Sequence, residues 1–283
     1  MEKMQKKGKA VKHLLSGLAG LMMILMMMGC GQMTPEKVLA RATAKSISKE
    51  AGDFRSDMTL NMDMQVASQK ISMDMNAVSE QTADPQNIHV NASLDMGRYG
   101  KENTEMYILS EDERYVAYLN DGSKWTKLYM DAEQRKSKLD ELNGFINEGF
   151  TNYVSGLVNL TMTEEEMEGK TAYRIDSTVT ADAIADAMKE SMESLGIDAD
   201  KVDISKLGSV GYTVWVDKKT YLPIRLDMDM TELMSAVMEE AVKGSSSQGQ
   251  VKVTEMVLSV KYYDFGQVGT IEPSEEAASA RMQ

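Results

Sequence analysis

Residues 54–66 read Phe-Arg-Ser-Asp-Met-Thr-Leu-Asn-Met-Asp-Met-Gln-Val, and this stretch decides the fold. From Met58 onward every second residue is apolar, and the residues between them are polar. Successive side chains of a β-strand point to opposite faces, so a period of two predicts a strand with one buried face and one wet face. We therefore expect Met58, Leu60, Met62 and Met64 to face a core.

The same alternation recurs in the next two segments of the chain. Residues 71–77 place Met73 and Met75 on one face, and residues 88–96 do the same with Leu94 and Met96. The break between these segments falls at Asp84-Pro85. Three consecutive alternating strands are typical of an antiparallel meander rather than a parallel sheet.

The rest of the chain adds short strands and a few amphipathic helices. Strands are predicted at 105–110, 114–119, 124–130, 160–167, 170–178, 212–217, 222–230 and 251–265, and helices after Thr34 and over 131–157, 181–195 and 231–243. Helices interrupt the strands too rarely for a βαβ repeat. We predict an α+β fold, a single highly curved antiparallel β-sheet (a half-barrel of about 10–11 strands) with amphipathic helices packed on the concave face.

The N-terminus predicts export and lipid anchoring. Five lysines precede an apolar run at Leu14–Met28, which ends in Gly29-Cys30. A basic region, a short apolar region and a small residue describe a secretory signal, and a cysteine directly afterwards suits diacylation. We predict a lipoprotein signal peptide over 1–29, a lipidated tether over 30–33, one domain over 34–276 and a loose C-terminal tail over 277–283.

The alternative to a signal peptide is an uncleaved membrane helix. A span needs about 20 apolar residues, whereas Leu14–Gly29 is only 16 residues long and contains Ser16, Gly17 and Gly20. Two acyl chains on Cys30 would hold the exported domain durably at the outer face of the cell membrane. Cys30 is also the single cysteine, so we expect no disulfide.

Charge excludes one class of partner. Without residues 1–29, the chain has 26 Lys and Arg against 43 Asp and Glu, a formal net charge of −17. Nucleic acid binding requires clustered cations, and anionic headgroups repel so acidic a chain. We expect no nucleic acid partner and membrane contact through the lipid anchor; the sequence indicates no particular protein partner.

Catalytic and metal sites are poorly supported. His89 is the single histidine of the exported part and lies on the polar face of its strand, so nucleophile–base sets and zinc sites lack residues. The series Asp198, Asp200 and Asp203 lacks the glycine and closing glutamate of an EF-hand calcium loop. We expect no enzyme activity, no metal and no cofactor.

Methionine is unusually abundant, with 19 in the exported part. The strand residues of an expected cavity are Met58, Met62, Met73, Met75, Leu94 and Met96, and its helix residues are Ile184, Met188, Met192, Met234 and Met238. Flexible thioether side chains suit irregular apolar surfaces, so these residues predict either an adaptable ligand cavity or ordinary core filling. Thioethers also bind Cu(I), but the His or Cys that usually completes such a site is missing.

Several short motifs carry a family resemblance over residues 34–276. They are Thr34-Pro35-Glu36-Lys37-Val38-Leu39, Gly122-x-x-Trp125-x-Lys127, Val216-Asp217-x-x-Thr220-x-x-Pro223, Tyr262-Tyr263-Asp264-Phe265 and Ile271-Glu272-Pro273-Ser274-Glu275. In this order the chain resembles uncharacterised lipoproteins of Gram-positive bacteria that share the LolA/LppX-like half-barrel fold. Ile271-Glu272-Pro273 departs from the pattern by lacking the second apolar residue often seen before that proline.

The resemblance implies an apolar cavity between sheet and helices that holds lipids or lipoproteins, and no catalytic residues. From residues and resemblance together we expect a membrane-anchored extracytoplasmic protein that binds an acyl chain, lipid or other apolar ligand. The alternative is a structural or protein-interaction lipoprotein of the cell envelope with a filled core and no ligand.

Overall fold

A computed structural model describes residues 33–46, 48–111, 114–131, 133–134, 156–180, 207–243 and 251–282. The chain divides into the units Met1–Thr34 and Pro35–Gln283, and the description below concerns the second. The predicted signal peptide, Cys30, the helix over 181–195 and most of the helix over 131–157 lie outside the described residues.

Twelve strands are present in the part of the chain that the structure describes. They are β1 (Phe54–Val66), β2 (Gln69–Gln81), β3 (Ile88–Asp95), β4 (Lys101–Glu111), β5 (Arg114–Asn120), β6 (Trp125–Met130), β7 (Leu157–Met167), β8 (Lys170–Thr180), β9 (Ser209–Asp217), β10 (Pro223–Asp229), β11 (Val251–Tyr263) and β12 (Arg281–Met282). The α-helices whose two ends both lie in the described residues are α1 (Pro35–Ser46), α2 (Thr231–Lys243) and α3 (Glu275–Ala278).

All twelve strands form one open sheet in the order β12-β6-β5-β4-β3-β2-β1-β11-β10-β9-β8-β7. Neighbours run antiparallel, except that β12 pairs with β6 in parallel. The end strands do not pair with each other, and this open sheet fits a half-barrel. The sequence predicted about 10–11 strands and missed β12, because two residues are too few to show an alternating pattern.

The predicted meander is confirmed as β1, β2 and β3. The strand β2 is longer than predicted, because main-chain pairing continues until Gln81 stands opposite Phe54. In the register, Met62 stands opposite Met73 on β2 and opposite Met256 on β11. The alternation therefore brings methionines of three neighbouring strands to one face of the sheet.

The strands β4 to β6 have apolar side chains packed on both faces. On one face, Ile88 and Ile108 form a buried cluster with Met106 and Met130. On the other face, Tyr107, Leu109, Val116 and Tyr118 pack against residues from the C-terminal segment, namely Val268, Ile271 and Ala277. The C-terminal segment thus covers the Val116 face of this part of the sheet.

This packing differs from the loose tail expected over 277–283. Ala277 in α3 is 0% exposed, and Arg281 and Met282 stand opposite Thr126 and Lys127 of β6. The Ser274 hydroxyl caps α3 by accepting from the Ala277 N–H. Composition suggested a loose tail because the segment is acidic and rich in alanine, but small alanines also allow close packing on a sheet.

The strand β7 ends the sheet on its other side. It contains an irregularity between Val158 and Thr161, where Asn159 adopts a positive φ of 57°. Three consecutive glutamates follow, and each has a partner. Glu164 binds the Lys218 ammonium at 2.6 Å, Glu165 accepts from the Trp215 indole N–H, and Glu166 accepts from the Thr171 hydroxyl at 2.8 Å.

Candidate functional site

The candidate site is an apolar area on the central strands, which we name the methionine face. Its members are Met58, Leu60, Met62 and Met64 of β1, Met73 and Met75 of β2, Leu94 of β3, and Met256 and Leu258 of β11. Alternate residues of a strand share a face, and pairing in register aligns them across strands. Local alternation and strand register together therefore build a continuous apolar surface.

Cross-strand rows define its geometry. One row runs Leu258, Leu60, Met75, Leu94 across β11, β1, β2 and β3. The neighbouring row contains Met256, Met62 and Met73. Directly opposed side chains of antiparallel strands lie close enough to touch, so each row is a band of contacting apolar groups.

Burial changes along a single cross-strand row on this side of the sheet. Val214, Leu226, Val260 and Met58 stand opposite one another in turn across β9, β10, β11 and β1. The first three are at most 2% exposed, whereas Met58 is only half-buried. Every member of the methionine face is half-buried in the same way. The apolar surface is therefore closed over β9 and β10. Over β1 to β3 the members of the methionine face stay partly accessible, although Ala77, the next residue of this row on β2, is buried.

The helix α2 lies along β11 and also contacts β9. Thr231, predicted as its N-cap, is its first residue, and its hydroxyl accepts from the Met256 N–H at 2.9 Å. Leu233 and Val237 are buried, while Met234 and Met238 are half-buried. The helix predicted at 231–243 is thus confirmed, with two methionines still partly accessible.

The other predicted cavity residues have different outcomes. Met96 follows the end of β3, at the start of a 3₁₀ turn, so it continues the period without belonging to the strand. Ile184, Met188 and Met192 lie outside the described residues, as do Cys30 and the aspartates at 198–203. The lining of a cavity by all eleven residues stays a prediction.

His89 lies on the polar face of β3, as predicted, but its side chain has partners. Its Nε2 is 2.9 Å from Glu105 Oε1, its Nδ1 is 3.7 Å from Glu80 Oε2, and the side chain is 23% exposed. The ring stacks on Tyr107 with centroids 4.2 Å apart. Arg55 also binds Glu80, at 2.6 Å. These residues form a polar network across β1 to β4, which alternation alone does not reveal.

Tyr107 belongs to both this network and the covered part of the sheet. Its hydroxyl donates to Glu105 Oε1 at 2.8 Å. Burial, followed by the hydrogen bond to Glu105, raises the pKa of Tyr107 to about 12. The phenol is therefore held in its neutral form, which suits a structural rather than a proton-transfer role.

A groove elsewhere on the sheet was missed by sequence reasoning. It is a groove of about 620 Å³, lined by Asp53, Thr82, Ala83, Asp84, Pro85, Asn87, Gly266, Val268, Gly269, Thr270 and Ile271. It lies at the Phe54 end of β1, away from Met62 and Met64. The one available signal was the chain break at Asp84-Pro85, which predicted a turn but no groove.

Metal-binding and membrane-spanning features were also sought. In the ranges that the structure describes, no group of three or more His, Cys, Asp and Glu is placed to hold a metal ion. No helix within those ranges combines the length and apolarity needed to cross a membrane.

A family model, that of the family of unknown function DUF6612, matches residues 34–280. The chain belongs to this family. The match spans nearly the whole segment that the sequence predicts as the exported domain. No curated protein matches the chain.

Solved structures with a similar chain path come from several bacteria. LprF from Mycobacterium bovis is 14% identical, with 86% of this chain and 99% of that chain covered and a TM-score of 0.43. A domain from Vibrio parahaemolyticus, described as an outer membrane lipoprotein-sorting protein, is 11% identical, with coverages of 81% and 90% and a TM-score of 0.23. The MucA/MucB complex of Pseudomonas aeruginosa is 11% identical, with coverages of 86% and 59% and a TM-score of 0.27. Similarities this low say nothing about ligand or partner.

Proposed function

We propose that this protein is an exported, non-enzymatic binding domain, held at the outer face of the cell membrane by lipid on Cys30. Its ligand is an acyl chain, a lipid or another apolar molecule, and the binding surface is the methionine face. We also propose that it is one of the Gram-positive bacterial lipoproteins that its sequence resembles.

The change of burial along one row carries this proposal. Val260 is closed off, whereas Met58, its direct neighbour across the strands, is half-buried. A uniformly filled core would bury neighbouring apolar residues of a row to a similar degree. Partly accessible apolar surface costs free energy in water, at roughly 25 cal/mol per Å², so an apolar ligand that covers it gains that amount.

The residue type at this surface supports the same reading. Methionine is unbranched and polarizable, so it adapts to guests of irregular shape. Met62, Met73 and Met256 form one row of such side chains. A rigid, shape-specific pocket would instead favour branched or aromatic side chains with few rotamers.

Lipid binding is tested with protein that starts at Gly31 and therefore lacks the anchor. Titration with a fluorescent long-chain fatty acid should give a micromolar Kd, about −8 kcal/mol. Met62→Gln and Met73→Gln keep side-chain length but add an amide, so each should weaken binding at least fivefold. Asn61→Gln and Asn76→Gln, on the exposed opposite face of the same strands, are matched controls that should bind like the parent.

The competing function is an interaction lipoprotein with a filled core. Met238→Trp separates the two: a larger side chain in open space should block the fatty acid with little loss of stability, whereas in a filled core it should cost about 1–3 kcal/mol. No probe binding, no copurified lipid in mass spectrometry and a destabilised Met238→Trp would together favour the interaction protein.

Anchoring has its own test. In cells fed radiolabelled palmitate, the Cys30→Ser protein should carry no label and should be lost from the membrane fraction. Equal labelling of parent and variant would refute the anchor and leave the ligand proposal standing.

A further inference from the structure

The groove at the Phe54 end of β1 is built from three segments far apart in sequence. Asp53 enters β1, residues 82–87 connect β2 to β3, and residues 266–271 follow β11. The Gly266 N–H donates to the Asp53 carbonyl at 2.7 Å, which joins the first and third segments. A Cβ on Gly52 would lie 2.9 Å from the Ala83 Cβ, so the first and second segments also approach closely.

Hydrogen bonds within the connection fix the wall of the groove. The Thr82 hydroxyl donates to the Pro85 carbonyl at 2.6 Å and accepts from the Asn87 N–H at 3.1 Å. The Asn87 side-chain oxygen accepts from the Ser110 N–H at 2.8 Å, which ties the connection to β4. The polar groups of this wall are therefore occupied by one another.

Asp53 is the exception among the lining residues. Its Oδ1 atom is buried and has no hydrogen-bond partner within the described ranges. A buried carboxylate oxygen without a partner is costly, so such an atom calls for an explanation. The nearest arginine along β1, Arg55, is already bound to Glu80 and Asp264. Among the described residues, no lysine or arginine donates a hydrogen bond to this oxygen.

The residues that line the groove limit what it can bind. The groove has two carboxylates, Asp53 and Asp84, and no Lys, Arg or His. Ala83, Pro85 and Val268 add apolar wall. A volume of about 620 Å³ lies in the range of small-molecule sites. Metal binding is disfavoured, because the described residues place no group of three or more His, Cys, Asp and Glu side chains together.

We propose that this groove binds a small organic cation, an ammonium group on a short apolar body. The ammonium pairs with the Asp53 carboxylate where that side chain lines the groove, and the body lies against Ala83, Pro85 and Val268. This site is separate from the methionine face and does not depend on the proposed lipid ligand.

The test compares three probes of one shape on the full chain in detergent. Butylammonium, butanol and butyrate share the apolar body and differ in the charge of the head group. In calorimetric titration only butylammonium should bind saturably. Equal binding of butanol would show an apolar pocket without charge selection, and no saturable binding of any probe would show that only water fills the groove; either result overturns the proposal.

Variants locate the site. Asp53→Asn should weaken butylammonium binding at least tenfold and should leave the melting temperature equal or higher, because it removes a buried carboxylate charge. Asp74→Asn, an exposed carboxylate on the polar face of β2, is the matched control and should bind like the parent. Unchanged binding by Asp53→Asn would refute the proposal.

A second variant tests the site independently, in case Asp53→Asn does not fold. Thr270 is exposed and lines the groove, so Thr270→Trp should fill it without touching the carboxylate. This variant should abolish binding. Full binding by Thr270→Trp, or Ca²⁺ binding that butylammonium cannot displace, would place the cation elsewhere or make it a metal ion.

Discussion

The strands β1 to β3 and the strands β4 to β6 lie in one sheet but are covered differently. In the first group, one face is polar and the other holds half-buried methionines. In the second, clusters around Ile108 and around Val116 close both faces. The difference separates a fixed frame, the part of the sheet that is closed on both faces, from a part whose apolar surface stays partly accessible.

The two groups also differ in sequence pattern. Alternation in β1 marks a strand with one wet face, whereas Met106–Leu109 and Tyr115–Leu119 are uninterrupted apolar runs. Such runs are typical of strands that are buried on both sides. The sequence therefore contained a signal for the two-sided burial of β4 and β5.

The largest expected effect comes from truncating the frame. Ile108 is 0% exposed, so Ile108→Ala should cost about 2–5 kcal/mol of unfolding free energy. Met62→Ala, on the half-buried methionine face, should cost only about 1 kcal/mol, since less apolar area returns to water. Urea unfolding of both variants measures the difference. Equal costs would mean that the two regions are equally packed.

The packing of the C-terminal segment on β4 to β6 can be tested at α3. Ala277 is buried against the sheet, so Ala277→Asp should place an unpaired charge there and cost about 2–4 kcal/mol. Ala278, the next residue, is exposed, and Ala278→Asp is the matched control with little expected effect. A mild Ala277→Asp would show that the C-terminal segment does not stabilise the sheet.

High pH should loosen the frame through Tyr107. Its folded-state pKa of about 12 lies above the ordinary value of 10.0, so the neutral phenol stabilises the fold below pH 10. That contribution is lost as the pH rises from 10 through 12, on the order of 2 kcal/mol. Tyr107→Phe cannot ionise, so its unfolding free energy should fall less over this window. Parallel curves for parent and variant would contradict the assignment.

The smallest effect is expected on the wet face of β1 and β2. Lys70 binds Asp63 at 2.7 Å, and hydrogen bonds from Lys70 and then Ser72 hold the pKa of Asp63 below its ordinary 3.8. A depressed carboxyl pKa gives stability that is present above pH 3.8 and lost as the pH falls. The difference in melting temperature between parent and Lys70→Gln should be small at neutral pH and should vanish in acid. A difference that persists in acid would point to packing by the lysine stem.

Alternation in β1 to β3 was enough to predict strands, faces and the shared position of Met62 and Met73, because period and pairing are local properties. The cover on β4 to β6 was missed, because it depends on residues about 150 positions later folding back. The groove at Asp53 was missed for the same reason: three distant segments build it, and none has a motif of its own.

An open sheet has two edges, and unpaired main-chain groups at these edges can pair with strands of other copies. On one side β12 adds only two residues to β6 and so offers little backbone for further pairing. On the other side, the irregularity at Asn159 interrupts the β7 ladder, and Glu164, Glu165 and Glu166 charge it. Strand addition there would bring like charges together, so both edges resist edge-to-edge aggregation. A sheet that has half-buried methionines on one face is thereby limited at both edges in its pairing with other copies.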